Sequence, residues 1–272
     1  MTATNGNVPI PVGEVMPELT ARLLDRAKAT TPTRLSPDSE TPEQREAKRQ
    51  AAEQQKLDQL QRERENSWGR LLQQIGQRYA SVRLGNFQAE TDTQKRALAQ
   101  LNAFCDSLDE ITEMGQGLVL TGPKGTGKDH LAVACLRAAV LYSGIEAAWV
   151  DGQTLYQEFR DGIDSETRER DAIRRYTAPK ILLISDPVPP SESLTSFQQS
   201  VLWRIVDRRY RDLRPTWVTM NVSSGEEAEK RVGAQIVDRL RDGALSIVCN
   251  WPSHRKSAAI TTPQTRTDAS RQ

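Results

Sequence analysis

The stretch that most restricts the fold is Gly117 to His130, reading G-L-V-L-T-G-P-K-G-T-G-K-D-H. Three apolar residues, Leu118, Val119 and Leu120, stop at a glycine-rich turn, and an alanine- and leucine-rich segment follows. Strand, loop and helix in that order are the setting of a phosphate-binding loop, G-x-x-x-x-G-K-[ST]. Gly122, Gly125 and Gly127 allow positive φ and close backbone approach, so successive N–H groups can point inward at phosphate oxygens. The helix that follows adds the positive end of its dipole. The contact stretch for a nucleotide, ATP in this reading, is then Gly122, Pro123, Lys124, Gly125, Thr126, Gly127, Lys128, Asp129 and His130, with Lys128 against the β- and γ-phosphates. A glycine-rich helix entry with no ligand is the alternative.

Elsewhere, apolar runs alternate with helical patterns. Strands are expected at Glu146–Val150, Lys180–Ser185, Trp217–Met220 and Ala244–Cys249. Helices are expected at about Thr93–Met114, Lys128–Tyr142, Thr154–Arg160, Arg168–Tyr176, Phe197–Arg211 and Glu226–Asp242. This alternation predicts an α/β fold, a parallel sheet with helices on both faces, whose ligand sits at the carboxyl ends of the strands.

The second half of a nucleotide site is Ile181-Leu182-Leu183-Ile184-Ser185-Asp186, an apolar strand with polar residues at its carboxyl end. The usual ending of such a strand is Asp followed by Asp or Glu, the first holding Mg²⁺ and the second polarising the attacking water. Here the first position is Ser185 and the second is Asp186. The loop departs in the opposite sense, with the carboxylate of Asp129 where a hydroxyl is usual. One reading is a compensating exchange, in which Asp129, Ser185 and Asp186 still offer Mg²⁺ a carboxylate and a hydroxyl from opposite sides. The other is a damaged site, because an unneutralised Asp129 repels the γ-phosphate. Asn221, ending Val218-Thr219-Met220-Asn221, reads as a sensor amide for the γ-phosphate and its water, or as an ordinary turn former. Arg239 either complements its helix dipole or reaches a neighbouring subunit's nucleotide as an arginine finger.

The flanks read differently. Residues 1–42, with six prolines and many Thr, Ser and Asn, are expected to be a disordered segment with at most a short helix at Leu19–Ala29. Residues 43–80 form a charged helical extension: twelve of the residues from Glu43 to Glu65 are charged, six of each sign. Only at Leu57, Leu60, Trp68, Leu71, Leu72, Ile75 and Tyr79 does an apolar stripe recur, either docked on the chain's own body or serving as a handle for a partner helix. The core is expected at 81–251, and 252–272 reads as a flexible basic tail. A net charge of +1 over 272 residues gives no global field for nucleic acid or membrane, so any such site is local. The local cations are Arg168, Arg170, Arg174 and Arg175, with Arg204, Arg208, Arg209, Arg211 and Arg214. They form either a groove for single-stranded DNA or a solvated face. Cys105, Cys135 and Cys249 lack any C-x-x-C or Cys/His spacing and read as buried free thiols rather than zinc ligands. With no membrane-length apolar run and no signal pattern, a cytoplasmic protein is expected.

The order of these pieces resembles the AAA+ ATPases of the DnaC/IstB group, bacterial helicase loaders and the ATPase helpers of transposases. The matching stretches are R-Y-A-S-V-R-L-G-N-F (78–87), L-T-G-P-K-G-T-G-K-D-H-L-A (120–132), L-L-I-S-D-P (182–187), L-W-R-I-V-D-R-R-Y-R-D-L-R-P-T-W-V-T-M-N (202–221) and I-V-D-R-L-R-D-G-A (236–244). The resemblance implies five parallel strands, a homo-oligomer with ATP between subunits, Arg239 acting in trans, and an N-terminal extension that grips a replicative helicase, which suits residues 43–79. It leaves three readings: a helicase loader working on single-stranded DNA, a transposase partner, or an adaptor that binds nucleotide and hardly hydrolyses it. Asp129, Ser185 and Pro187 depart from the group's pattern. The chain after Cys249 is short for a helical lid, leaving Arg255 as the nearby candidate for its second sensor arginine.

Overall fold

The computed structural model describes residues 41–162, 166–190 and 192–254. The expected segment 1–42 (apart from Thr41 and Pro42), Arg255 and the rest of the tail lie outside the described residues. The chain divides into two compact units, 1–57 and 58–272. In the first, the described residues from Pro42 onward are exposed and belong to a helix, α1 (Pro42–Ile75). Thr41 accepts from the Gln44 N–H and Gln44 accepts from the Thr41 N–H, which closes the first turn on itself.

The second unit is built on five parallel strands: β1 (Leu118–Thr121), β2 (Ala147–Asp151), β3 (Ile181–Ser185), β4 (Thr216–Met220) and β5 (Leu245–Val248), in spatial order β2-β3-β4-β1-β5. Alternation along each central strand divides its side chains between two cores. Leu118, Leu120, Ile181, Leu183 and Trp217 face one; Val119, Leu182, Ile184, Val218 and Met220 face the other. Burial on both faces is why these strands read as unbroken apolar runs. The first core is roofed by α2 (Asp92–Asp106), α3 (Leu108–Glu113), α4 (Lys128–Ala138) and the end of α1. The second is covered by α5 (Gly152–Asp161), α6 (Glu166–Thr177), α7 (Ser196–Arg211), α8 (Gly225–Val232) and α9 (Ala234–Arg241).

The strands fall where the apolar runs put them. Three expected helices differ. The segment 93–114 breaks at Ser107, whose φ of −113° and ψ of 26° leave the helical region. The segment 226–242 breaks at Gly233, where φ is 111°, a conformation that favours glycine. The helix after the loop widens at Ala139–Ser143 into a π turn before Gly144 ends it. The apolar stripe of the extension also splits. Trp68, Leu71 and Ile75 are buried in the first core, with Leu72 and Tyr79 packed against it, so this part docks on the chain's own body. Leu57 and Leu60 are exposed. Cys135 and Cys249 are buried free thiols, while Cys105 is half-buried.

Candidate functional site

The loop between β1 and α4 is held from outside by the chain that leaves β5. Cys249 donates its N–H to the Thr121 carbonyl at 2.7 Å, the Trp251 indole donates to the Thr126 carbonyl at 2.8 Å, and His254 donates its N–H to the Gly125 carbonyl at 2.9 Å. Gly122, with φ 137°, passes so close to Cys249 that any Cβ there would collide with its carbonyl. Phe87 fills the space beside this strap, its ring centroid 5.0 Å from that of His254, 5.7 Å from His130 and 6.3 Å from Trp251. Gln94 closes the arrangement. Its Oε1 accepts from the Glu90 and Thr91 N–H groups, which leaves its amide nitrogen to donate to His254 Nε2 at 3.1 Å. Phe87 ends the stretch 78–87 that carries the family resemblance, but nothing in the sequence pattern marked Gln94, Trp251 or His254, because they reach the loop region only through the fold.

Lys128 is buried, and its ammonium donates to the carbonyls of Gly122 (2.9 Å) and Pro123 (2.8 Å) and to Asn221 Oδ1 (2.9 Å). Asn221 thus holds the lysine from the end of β4, and its side chain acts on the Asp186 carboxyl as well. Burial and the neighbouring Asp129 push the Asp186 carboxyl above its ordinary value, against the pull of Lys128, Asn221 and Lys124. Asp186 Oδ1 is buried with no hydrogen-bond partner among the described residues, and the residue sits at φ 44°, a left-handed conformation that Asp tolerates. Arg231 anchors the far side of Asn221, donating to its backbone carbonyl at 3.1 Å and to the Pro189 carbonyl at 2.6 Å. Gly122, Pro123, Lys124, Asn221 and Arg231 share the lining of a cavity of about 270 Å³.

Asp129 stands in the first turn of α4 and faces the strands. Ser185 donates to its Oδ1 at 2.8 Å and Thr219 donates to the same oxygen at 2.7 Å. The two departures from the motif are therefore joined by a hydrogen bond. The surrounding donors are all oxygens: the Asp129 carboxylate, two hydroxyls and the orphaned Asp186 Oδ1. That set suits a hard cation such as Mg²⁺, which takes only one or two carboxylates beside phosphate and water ligands.

His130 lies on the other side of the loop. Its Nε2–H donates to the Arg83 carbonyl at 3.2 Å; burial holds its imidazole below the ordinary value, with Arg83 opposing and His254 adding to the shift. Arg239 is elsewhere, on α9 against α7. Its guanidinium carbon stands 4.3 Å from the Tyr210 ring centroid and 6.0 Å from that of Trp203, with Asp207 at 3.8 Å. One expected surface cation is misplaced by the sequence reading. Arg209 has no exposure and donates to the carbonyls of Tyr176, Pro179, Lys180 and Pro215 and to the Thr216 hydroxyl. It is an internal tie and is unavailable to DNA. By contrast, Arg170, Arg174, Arg204, Arg208 and Arg211 line one groove of about 470 Å³ between α6 and α7, together with Trp203.

Comparison with known proteins agrees with this geometry. The family model described as "IstB-like ATP binding protein" matches residues 46–258. The replicative helicase loader DnaC of Escherichia coli K12 is 28% identical over 172 residues, covering 62% of this chain and 67% of that protein. A crystal structure of the DnaC helicase loader superposes with a TM-score of 0.56 at 26% identity, over 64% of this chain and 99% of that one. The replication initiator DnaA bound to AMPPCP and single-stranded DNA shares the fold, with a TM-score of 0.51 at 18% identity over 63% of this chain and 50% of that chain. With its phosphate-loop sheet and a family match over most of its length, the chain belongs to the IstB-like ATP-binding proteins, within the DnaC/IstB group of AAA+ ATPases.

Proposed function

We propose that the chain is an ATPase of the helicase-loader type, which turns over Mg²⁺-ATP between subunits while placing a replicative helicase on single-stranded DNA. The observation that carries the reading is the convergence of Lys128, Asn221, Asp186, Asp129 and Ser185 at the carboxyl ends of β1, β3 and β4. In this reading the loop from Gly122 to His130 cradles the phosphates, and Lys128 exchanges a carbonyl partner for phosphate oxygens. Asp129, Ser185 and Asp186 are the residues to hold Mg²⁺, which when bound neutralises charge on the β- and γ-phosphates. Asp186 takes up the proton of the attacking water, and Asn221 orients that water. Arg239 is presented by Tyr210 and Trp203 to a neighbouring subunit of a homo-oligomer. DNA is assigned to the groove between α6 and α7, where arginines track the backbone and Trp203 offers one stacking surface.

The test is Mg²⁺-dependent phosphate release by the wild type and Lys128→Ala, with and without single-stranded DNA. Turnover stimulated by DNA and reduced at least ~100-fold in the variant is expected. Tight ATP binding with phosphate release no faster than the variant's would replace this reading with a nucleotide-binding adaptor. Stimulation by duplex DNA and a transposase, with none by a helicase, would move it to the transposase partners.

A further inference from the structure

Ser185 and Thr219 stand opposite each other in the paired strands β3 and β4. By the two-residue period they share the face of Leu183 and Trp217, the face roofed by α4. Both hydroxyls reach Asp129 Oδ1, from 2.8 and 2.7 Å, and lie 3.5 Å from each other. Thr219 has no exposure. Its oxygen also accepts the Asp186 N–H at 3.3 Å, and its backbone carbonyl accepts the same N–H at 3.0 Å.

We propose that Thr219 is a positioning residue of the cation site: with Ser185 it pins Asp129 by Oδ1, so that Oδ2 is the oxygen offered to a divalent cation. This rests on the reading of the site as one for nucleotide with its cation. A threonine hydroxyl has one proton, and here it goes to Asp129. The same oxygen serves the Asp186 N–H, so the group acts on the two carboxylate residues and not on the ion. Asp129 needs such a hold more than the hydroxyl residue usual at its position. Its longer, charged side chain, left free in the first turn of α4, would swing toward Lys128 or against the phosphates. Two hydroxyl donors to one carboxylate oxygen fix its rotamer, and charge-assisted bonds of this length are the stronger kind. Among the described residues no hydrogen bond occupies Oδ2. Thr219 thus extends the exchange between Asp129 and Ser185 to a third residue, 90 positions from the loop.

The experiment uses the full chain and separates cation binding from nucleotide binding. Affinity for a fluorescent ATP analogue is measured in EDTA, and Mn²⁺ affinity in the presence of ATP is measured by electron paramagnetic resonance. Thr219→Val should keep the EDTA affinity within about twofold and lose about 10- to 100-fold in Mn²⁺ affinity, the range for a residue that orients a metal ligand. Thr219→Ser, which keeps the hydroxyl, should restore Mn²⁺ affinity to within about threefold. Wild-type Mn²⁺ affinity in the valine variant overturns the proposal, as does a serine variant as weak as the valine one. Should the valine variant fail to fold, Thr219→Ala decides: it removes the same donor with a smaller side chain, and unchanged Mn²⁺ affinity there overturns the proposal too. A wild type that binds neither the ATP analogue in EDTA nor Mn²⁺ with ATP overturns the nucleotide reading itself, a result distinct from any difference among variants.

Discussion

Asp186 is held where its own charge is disfavoured, by burial and by Asp129, so it works against stability at neutral pH. A carboxyl raised in the folded state is the more protonated there, so stability falls as pH rises from the unfolded value through the folded one. Asp186→Asn should therefore melt ~2–4 °C higher at pH 7, with the difference fading below about pH 4, while ATP turnover is lost. A melting profile across pH checks this, and a gain that persisted undiminished at low pH would assign it to another cause. The exchange between loop and strand has its own expected outcome. Asp129→Thr should lower turnover at least ~10-fold, and adding Ser185→Asp should restore most of it; faster turnover in the single variant would contradict the pairing. Lys128, Asp129 and Ser185 were legible because loop and strand each carry a local spacing. Thr219 was not, because its partner is set by the register of β3 on β4, which one strand's sequence does not state. Nor was the burial of Arg209: its neighbours Arg208 and Arg211 pair on the surface with Asp212 and Asp207, and only the helix phase turns Arg209 inward.

Among the elements, α7 depends on that inward turn. Arg209 ties its last turn to the carbonyls that lead into β3 and β4, and burial lowers its guanidinium to about 9. Arg209→Ala would orphan those acceptors and is expected to cost about 3–5 kcal/mol in denaturant unfolding. Arg208→Ala, exposed one position away, should cost less than ~1 kcal/mol. Strands were easier to place than helix ends, since burial on both faces writes an unbroken apolar run. The breaks at Ser107 and Gly233 were missed because neither interrupts helical periodicity, although Gly233 carries the φ of 111° that stops α8.

At the scale of the whole molecule, the division at residue 57 predicts how the chain tolerates shortening. Removing residues 1–57 should leave the melting temperature of the remainder within ~2 °C, while removing 1–79 takes Trp68, Leu71 and Ile75 from the core and should lower it by more than ~10 °C. The groove between α6 and α7 has an ionic signature. Arg170→Ala with Arg174→Ala should reduce the slope of log affinity for single-stranded DNA against log salt by ~1.4 in magnitude, whatever the base sequence. The strap that crosses the phosphate loop has an optical consequence as well. The indole N–H of Trp251 donates a hydrogen bond to a carbonyl of the loop itself, so the colour of its emission is tied to the loop's hydrogen bonding. With Trp68, Trp149, Trp203 and Trp217 replaced by phenylalanine, the protein would carry one native lamp beside its phosphate site. Arrival and departure of nucleotide could then be timed in a stopped-flow cell with no label attached.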